Sequence, residues 1–269
     1  MFTLHNGDCL QVLPSIPSGS IDAIITDLPY GTTACKWDSV IAFVPMWREV
    51  TRVLKPTGVF VTTASQPFTS ALVMSNPEMF KYEWIWNKQS KGNFMQANFQ
   101  PLKIHENILV FSQSPATYAK GKDTAVYYAQ KVLGYIRKAA KTVYPNSWRD
   151  RTKSTYEVEH KGSDSRFPKS IIEITNASHV GKTHPTQKPV SLFEYLIKTY
   201  SKEGDTILDI AMGSGTTIEA AERTGRNSIG IEKDEGIFQS AVLRLKSFTP
   251  SNKACTRQGQ VAPQFDNFE

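Results

Sequence analysis

Short apolar runs alternate with longer amphipathic segments along most of the chain. The runs with the length of buried strands lie at 21–25, 59–61, 82–86, 108–111, 205–210 and 227–231. Between them the pattern predicts helices at 39–54, 68–75, 189–200, 216–223 and 234–246. This alternation is typical of an α/β fold with a mostly parallel sheet.

Two proline signals refine the predicted boundaries. Lys55-Pro56-Thr57-Gly58 predicts a turn after the helix that begins at Ser39. Pro67 suits the first position of the helix at 68–75, because a helix start needs no N–H from that residue.

The alternation is lost between Gln113 and Lys182, where the chain is polar and rich in Ser, Thr and Lys. We interpret this segment as an inserted module. A chain of 269 residues that is 40% hydrophobic can form one core with a small module attached. The apolar pattern stops at Thr249, which predicts a loosely held tail over 249–269.

The positive charge of the chain is concentrated in that insertion. Residues 113–182 carry thirteen Lys and Arg against six Asp and Glu, a net charge of +7, whereas the whole chain is +6. Eight aromatic residues are interleaved with these cations: Tyr118, Tyr127, Tyr128, Tyr135, Tyr144, Trp148, Tyr156 and Phe167. Cations neutralise phosphates and aromatic rings stack on bases, so the mixture favours a nucleic-acid surface. A solvated basic face over a small aromatic core is the alternative.

Several other classes of protein are disfavoured. The three cysteines are far apart and have no histidine at ligand spacing, so we expect neither a metal site nor a disulfide. No apolar stretch approaches the roughly 20 residues that span a bilayer. The first residues also lack the pattern of a signal peptide, so we expect a cytoplasmic protein without membrane contact.

A glycine-rich segment, Gly213-Ser214-Gly215, lies between a predicted strand and a predicted helix. Glycines let the backbone approach a ligand closely, and the helix start offers free N–H groups. The segment is not a dinucleotide fingerprint, because Gly-Ser-Gly-Thr-Thr-Ile lacks the final small residue. Alone it indicates only a turn. Glu232, however, ends the next predicted strand, where a carboxylate can accept hydrogen bonds from two ribose hydroxyls.

A second polar segment, Thr-Asp-Leu-Pro-Tyr-Gly, occupies 26–31 directly after the predicted strand at 21–25. Strand ends of this kind form the ligand-binding edge of open α/β sheets. Taken alone, the segment is also compatible with a simple turn. Two further segments are His184-Pro185-Thr186-Gln187-Lys188-Pro189 and Asn6-Gly7-Asp8-Cys9-Leu10, which alone indicate a proline-bounded loop and a helix N-cap.

Together these segments resemble those of DNA amino-methyltransferases that use S-adenosylmethionine (AdoMet). The catalytic loop precedes the cofactor loop, with a recognition region between them, which is similar to the β group of that family. The resemblance covers roughly residues 4–111 and 184–245. It implies a Rossmann-like methyltransferase sheet with an inserted target-recognition module.

The resemblance implies a cofactor site. The family segment Asp-Pro-Phe-x-Gly-Ser-Gly-Thr-Thr is matched at Asp209, Gly213, Ser214, Gly215, Thr216 and Thr217. Ile210 and Ala211 depart from it. The family's segment at His184, Thr186, Gln187 and Lys188 lies against the methionine end of AdoMet. Asp8 would meet the adenine, and Glu232 the ribose.

The resemblance also implies the catalytic residues. An exocyclic amino group is a poor nucleophile, because its lone pair is delocalised into the ring. The Asp27 carboxylate and the Leu28 carbonyl would accept its two N–H groups and aim the lone pair at the methyl group. Pro29 would stiffen the loop and Tyr30 would stack on a flipped-out base. The family more often has Pro at the position of Leu28.

We therefore expect a methyltransferase acting on the adenine 6-amino group in duplex DNA, because adenine-methylating members carry Asp at the position of Asp27. Cytosine 4-amino methylation and a DNA-binding relative without activity remain alternatives. The expected units are the catalytic half of the core at 1–112, the recognition region at 113–182 and the cofactor half at 183–248. Lys88, Lys91 and Asn93 are candidate DNA contacts, although solvated loop residues would look the same. A homodimer and a partner restriction endonuclease stay open.

Overall fold

The computed structural model describes residues 1–32, 38–92, 94–118, 123–133, 140–145, 155–160, 165–176 and 187–247. For 140–145 and 155–160 the description covers the backbone alone. No helix in these ranges is long and apolar enough to cross a membrane.

In the described part of the chain, eight strands form the central sheet. They are β1 (Phe2–Asn6), β2 (Ile21–Thr26), β3 (Leu54–Ala64), β4 (Phe80–Gly92), β5 (Lys103–Ser112), β10 (Ile171–Glu173), β11 (Thr206–Asp209) and β12 (Asn227–Glu232). Their order is β1-β12-β11-β2-β3-β5-β4-β10. Neighbouring strands are parallel except that β5 runs antiparallel to both β3 and β4. The long β4–β5 connection contains a 3-10 turn at Phe94–Gln96.

Two small antiparallel pairs lie outside this sheet. They join β6 (Val132–Leu133) to β9 (Ser165–Arg166) and β7 (Ala140–Pro145) to β8 (Thr155–His160). The strand β10 also falls within residues 113–182, yet it pairs with β4 in the main sheet. Part of the segment predicted as an insertion therefore extends the central sheet.

Six α-helices complete the fold of the described residues. They are α1 (Cys9–Val12), α2 (Phe43–Val53), α3 (Phe68–Ser75), α4 (Val190–Tyr200), α5 (Thr216–Arg223) and α6 (Glu235–Ser247). The predicted α/β fold with a mostly parallel sheet is confirmed. Most predicted boundaries fall within a few residues of the observed ones, since each strand or helix carries its own apolar pattern.

Helices cover both faces of the sheet. The first apolar cluster contains Leu13, Ile24, Met46, Trp47, Val50, Phe60, Phe68, Leu72 and Phe111. The second contains Ala23, Ile25, Val59, Val61, Trp84, Leu192, Phe193, Leu196 and Ala220. Successive residues of β2 and β3 alternate between the two clusters, as the pleat of a strand requires. Both faces of these strands are therefore buried, which explains their continuous apolar runs.

The helix predicted from Ser39 begins instead at Phe43. Pro45 provides the reason: inside a longer helix it would lack an N–H for the carbonyl of Ile41 and its ring would collide with that carbonyl. In the observed helix Pro45 lies in the first turn, where no such bond is needed. Residues 38–42 are thereby left as a loop.

The turn predicted at 55–58 is part of β3, and its pairing with β2 is irregular between Ile21 and Ala23. Gly58 allows this close pairing, since a Cβ there would lie 2.9 Å from the Asp22 carbonyl oxygen. Pro67 is the N-cap of α3 rather than its first helical residue. The strand pattern predicts neither β1, which is exposed at the sheet edge, nor the three-residue β10.

Candidate active site

A cavity of about 530 Å³ opens at the carboxyl ends of β2 and β11, which are neighbours in the sheet. The chain after β2 leads to α2 in the first apolar cluster, whereas α5 after β11 packs in the second. Ligands bind open α/β sheets where the direction of the connections reverses in this way. The lining includes Asp8, Asp27, Leu28, Pro29, Tyr30, Gln187, Lys188, Asp209, Gly213, Ser214, Thr216, Thr217 and Glu232.

Asp27 starts the loop after β2, and its carboxylate accepts three hydrogen bonds. The Thr63 hydroxyl donates to Oδ1, and the Tyr30 hydroxyl donates to the same oxygen at 3.1 Å. The Lys188 ammonium donates to Oδ2 at 2.7 Å. A carboxylate has about four acceptor positions, so these bonds leave about one for a ligand.

Tyr30 is held by ring contacts and by hydrogen bonds. Its ring stacks on Phe68 with centroids 5.3 Å apart, and the Lys188 Nζ lies 5.5 Å from its centroid. Its single hydroxyl proton is shared between Asp27 Oδ1 and Glu106 Oε2, which lies 3.4 Å from the hydroxyl oxygen. Burial, together with the charges of Asp27 and Glu106, raises the pKa of Tyr30 well above its usual value. The hydroxyl therefore stays protonated and serves as a donor.

The remainder of this loop is fixed by one buried side chain and by hydrogen bonds of the backbone. The Leu28 side chain is buried in the first apolar cluster. Gly31 has a φ of 67°, a conformation that favours glycine. The N–H groups of Gly31 and Thr32 donate to the Asp38 carboxylate at 2.8 and 3.0 Å. Asp38 lies in the loop that α2 leaves free, so the late start of that helix shapes the site.

Two lysines and two carboxylates form a charge cluster beside the loop. Lys188 Nζ lies between Asp27 and Glu106, 2.7 Å from Asp27 Oδ2 and 3.5 Å from Glu106 Oε2. Lys88 Nζ is 3.1 Å from Glu106 Oε1. Burial opposes the ionisation of Glu106, but Lys188 and Lys88 lower its pKa below the usual range. Burial likewise opposes the charge on Lys188, yet the two carboxylates raise its pKa. Glu106 and Lys188 therefore both stay charged at neutral pH.

Asp209 connects the two loops. It is the last residue of β11 and is 2% exposed. Its Oδ1 accepts hydrogen bonds from the Thr26 hydroxyl at 2.7 Å and from the Ala211 N–H at 3.1 Å. Burial raises its pKa to about 6, against hydrogen bonds from Thr217, Thr26 and Ala211 that favour the charged form.

Two more acids border the cavity on its glycine-rich side. Glu232 Oε2 accepts a hydrogen bond of 3.0 Å from the Gly213 N–H, and its Oε1 accepts one from the Asp234 N–H. Burial raises the pKa of Glu232. Asp8 caps α1 through the Leu10 N–H and pairs with Lys233 at 2.9 Å, a hydrogen bond that lowers its pKa. This side of the cavity is thus acidic, with one cation already paired.

The glycine-rich loop leads into α5. Gly213 and Gly215 have φ values of 52° and 77°, and Gly215 is the N-cap of the helix. A Cβ on Gly215 would lie 3.0 Å from Leu245, so glycine also permits α6 to pack closely here. Arg244 of α6 donates to the Ser214 carbonyl at 2.8 Å and pairs with Glu219. The loop is therefore held in place before any ligand binds.

The structure brings thirteen of the sixteen predicted site residues to one cavity. Gly215 begins α5 beside it, while His184 and Thr186 lie outside the described residues. Lys188, expected at the cofactor, also bonds the predicted catalytic residue Asp27. Three further residues at the site, Thr63, Asp38 and Glu106, lie outside the sequence segments that predict it. Glu106 follows shortly after Pro101 and Lys103 in the sequence. No pattern in that part of the sequence indicates that it lies near Asp27.

The sequence is similar to those of known proteins. A family model described as DNA methylase, of the N6 and N4 methyltransferase type, matches residues 21–243. The chain is similar to the type II methyltransferase M.HinfI of Haemophilus influenzae, with 29% identity over 276 residues. The match covers 93% of this chain and 69% of that protein.

Two solved structures show the same fold at low sequence identity. One is the cytosine-N4-specific PvuII DNA methyltransferase, with a TM-score of 0.64 and 18% identity, covering 93% of this chain and 87% of that one. The other is the M1.HpyAVI–SAM complex, with a TM-score of 0.58 and 21% identity, covering 91% of this chain and 100% of that one. The central sheet and its helices therefore form a known architecture.

Proposed function

The chain belongs to the DNA methylase family of N6 and N4 amino-methyltransferases, and from that premise we propose that it methylates the 6-amino group of adenine in duplex DNA. The cofactor is S-adenosylmethionine. One observation carries the proposal: a single cavity is lined both by the Asp27 loop and by the glycine-rich loop with Glu232. Donor and acceptor of a methyl group can therefore meet in it.

The residues on the glycine-rich side suit the chemistry of AdoMet. Glu232 uses one acceptor position on each oxygen for backbone N–H groups, which leaves positions for the two ribose hydroxyls. The acids Asp8 and Glu232 would repel a pyrophosphate, whereas AdoMet has no phosphate and carries an ammonium group. Gly213 has no atom within 4 Å of where a Cβ would be, so the loop leaves open space beside its backbone.

Asp27 would accept one N–H of the target amino group at its remaining acceptor position. The backbone carbonyl of Leu28 would accept the other, which localises the nitrogen lone pair and aims it. When bound, the cofactor supplies an electrophilic methyl group on a sulfonium. Lys188 and Thr63 would hold the Asp27 carboxylate in position through their hydrogen bonds, because neither depends on the base for its own position. Preorganised acceptors of this kind lower the barrier without reorganisation during the reaction.

The amino group reaches this cavity only if the base leaves the duplex, at a cost of a few kcal/mol. Tyr30 would stack on the extruded base, since its ring lines the cavity and is already held on one side by Phe68. Residues 113–182 would select the target sequence. Among the described residues of that segment, Lys131, Arg166 and Lys169 are exposed cations.

The second candidate is methylation of the cytosine 4-amino group, which the likeness to the cytosine-N4-specific PvuII enzyme favours. The same acceptors would serve, since both bases present an exocyclic amino group. The carboxylate at Asp27 supports the adenine assignment, by resemblance to the adenine-methylating members.

Digestion of methylated DNA distinguishes the two candidates. The purified chain would be incubated with labelled AdoMet and unmethylated genomic DNA, and the nucleosides would be separated by chromatography. We expect label in 6-methyladenine. Label in 4-methylcytosine would select the second candidate, and AdoMet binding without transfer to DNA would contradict both. Sequencing of the modified DNA would then map the target site.

A further inference from the structure

The connection between β4 and β5 exposes three large apolar side chains. Phe94, Met95 and Phe99 are 67%, 97% and 88% exposed. Large apolar side chains exposed together on a surface mark sites of interaction with a partner or ligand. We refer to residues 94–102 as the apolar loop.

The apolar loop is locally ordered. The N–H of Ala97 donates to the Phe94 carbonyl at 3.2 Å, and those of Phe99 and Gln100 donate to the Gln96 carbonyl at 2.9 and 3.0 Å. These turns hold the loop together through its backbone, so the exposure of the three side chains is a feature of a defined conformation.

The loop begins and ends beside the active site. The residues that flank it, Gly92 of β4 and Lys103 of β5, pair with each other. Lys103 Nζ hydrogen-bonds the Ser65 hydroxyl, and Ser65 lines the cavity. Glu106, which contacts Tyr30, follows three residues later, a distance of about 10 Å along a strand. The strand residue that follows the apolar loop is therefore in contact with the lining of the cavity that holds Tyr30.

The charge around the loop favours DNA as the ligand. Between residues 88 and 105 the sequence contains Lys88, Lys91 and Lys103 and no Asp or Glu. Lys91 is exposed. Lys88 is paired with Glu106 and Lys103 with Ser65, so Lys91 is the one of these three lysines placed to meet a phosphate. A cation beside apolar side chains that can meet bases is a combination used by proteins that insert apolar wedges between base steps.

We propose that Phe94, Met95 and Phe99 insert into the duplex next to the target and fill the space that the extruded base leaves. This inference rests on the proposed function. Extrusion breaks stacking on both sides of the target, and flat or flexible apolar side chains restore part of that stacking. Tyr30 holds the base in the cavity, while the apolar loop prevents its return.

The test uses the full chain and two synthetic duplexes containing the mapped target site. In one duplex the target base is paired, and in the other it lies opposite an abasic site. The variants are Met95→Ala and the double variant F94A/F99A. Met74→Ala is the matched control, because Met74 is 72% exposed on α3. AdoMet affinity and oligomeric state are measured for each protein.

On the paired duplex we expect F94A/F99A to lose at least about tenfold in kcat/KM, with a smaller loss for Met95→Ala. On the abasic duplex both variants should come within about threefold of the unmodified chain, because less stacking has to be broken. AdoMet affinity should not change, and Met74→Ala should behave as the unmodified chain on both duplexes.

An equal loss of kcat/KM on both duplexes, or no loss on either, would contradict insertion of the apolar loop into the duplex. Conversion of a dimer to a monomer in F94A/F99A would also overturn it, since the loop would then bind a second copy. The proposed function fails separately: in that case the unmodified chain would methylate neither duplex.

Discussion

The Asp209 carboxylate accepts a 2.7 Å hydrogen bond from the Thr26 hydroxyl, which joins the ends of β11 and β2. The two residues are 183 positions apart, and each is the last residue of the strand that leads into one of the two loops. In the proposed reaction, this one buried contact would partly fix the position of the methyl donor relative to the acceptor. Angstrom-scale positioning of this kind contributes much of the rate in transfer reactions.

Because of Asp209, the free energy of unfolding should decrease as the pH rises from about 4 to about 6. Its pKa is raised to about 6 from 3.8, so between these values the folded state binds more protons than the unfolded state. Ionising it at neutral pH costs about 3 kcal/mol of folding free energy. We expect the stability of the unmodified chain, relative to Asp209→Asn, to fall across this window in urea denaturation series. A difference independent of pH would contradict the buried ionisation.

Asp27→Ala should abolish methyl transfer while leaving AdoMet affinity within about twofold. The substitution removes the acceptor for the target amino group, and interactions made in the transition state affect kcat most strongly. Labelled transfer and calorimetric binding measure the two quantities. Glu78→Ala, at an exposed acid on the same polypeptide, is the control. Near-normal transfer by Asp27→Ala would place catalysis elsewhere.

Lys188→Met should shift the acid limb of the pH–rate profile upward. The lysine lies between the carboxylates of Asp27 and Glu106, and without it the pKa of Glu106 should rise. Protonation would then disturb the Asp27 environment at a higher pH than in the unmodified chain. We expect kcat to fall about tenfold or more at neutral pH, with partial recovery in Lys188→Arg. An unchanged acid limb would limit Lys188 to a packing role.

AdoMet affinity should increase with pH as Glu232 ionises. Burial raises the pKa of this carboxyl, and its charged form is the stronger acceptor for hydroxyl groups. Glu232→Gln should bind about tenfold more weakly at neutral pH and lose this pH dependence. Titrations of AdoMet into each protein without DNA, at several acidic pH values, would measure both effects. The same pH dependence in Glu232→Gln would assign the effect to another group.

Replacing Lys131, Arg166 and Lys169 together with Ala should weaken DNA binding and reduce its salt dependence. For each phosphate that a cation no longer neutralises, the slope of log K against log salt should become shallower by about 0.9. Lys246→Ala, on the exposed face of α6, is the control. Binding to the mapped duplex would be titrated at several salt concentrations. An unchanged slope would show that DNA phosphates bind outside this part of the segment.

The sequence predicts those parts of the site that lie in one continuous motif. The Asp27 loop and the glycine-rich loop each follow a buried strand, so their shared edge follows from the parallel sheet. Glu106 could not be found in this way, because it faces Tyr30 only through the pairing of β5 with β3 and β4. Likewise Lys188 reaches Asp27 across 161 residues, a contact that tertiary packing decides.

The reversed direction of β5 has a consequence for how such an enzyme can diversify. In a wholly parallel sheet, the connection from β4 to the next strand would have to cross one face of the sheet. Here β4 ends and β5 begins at the same edge of the sheet, the one beside the candidate active site, where Gly92 pairs with Lys103. Residues can be added or removed in that connection without changing the register of any strand. The contacts that this connection makes with the substrate can therefore change while the catalytic residues keep their positions.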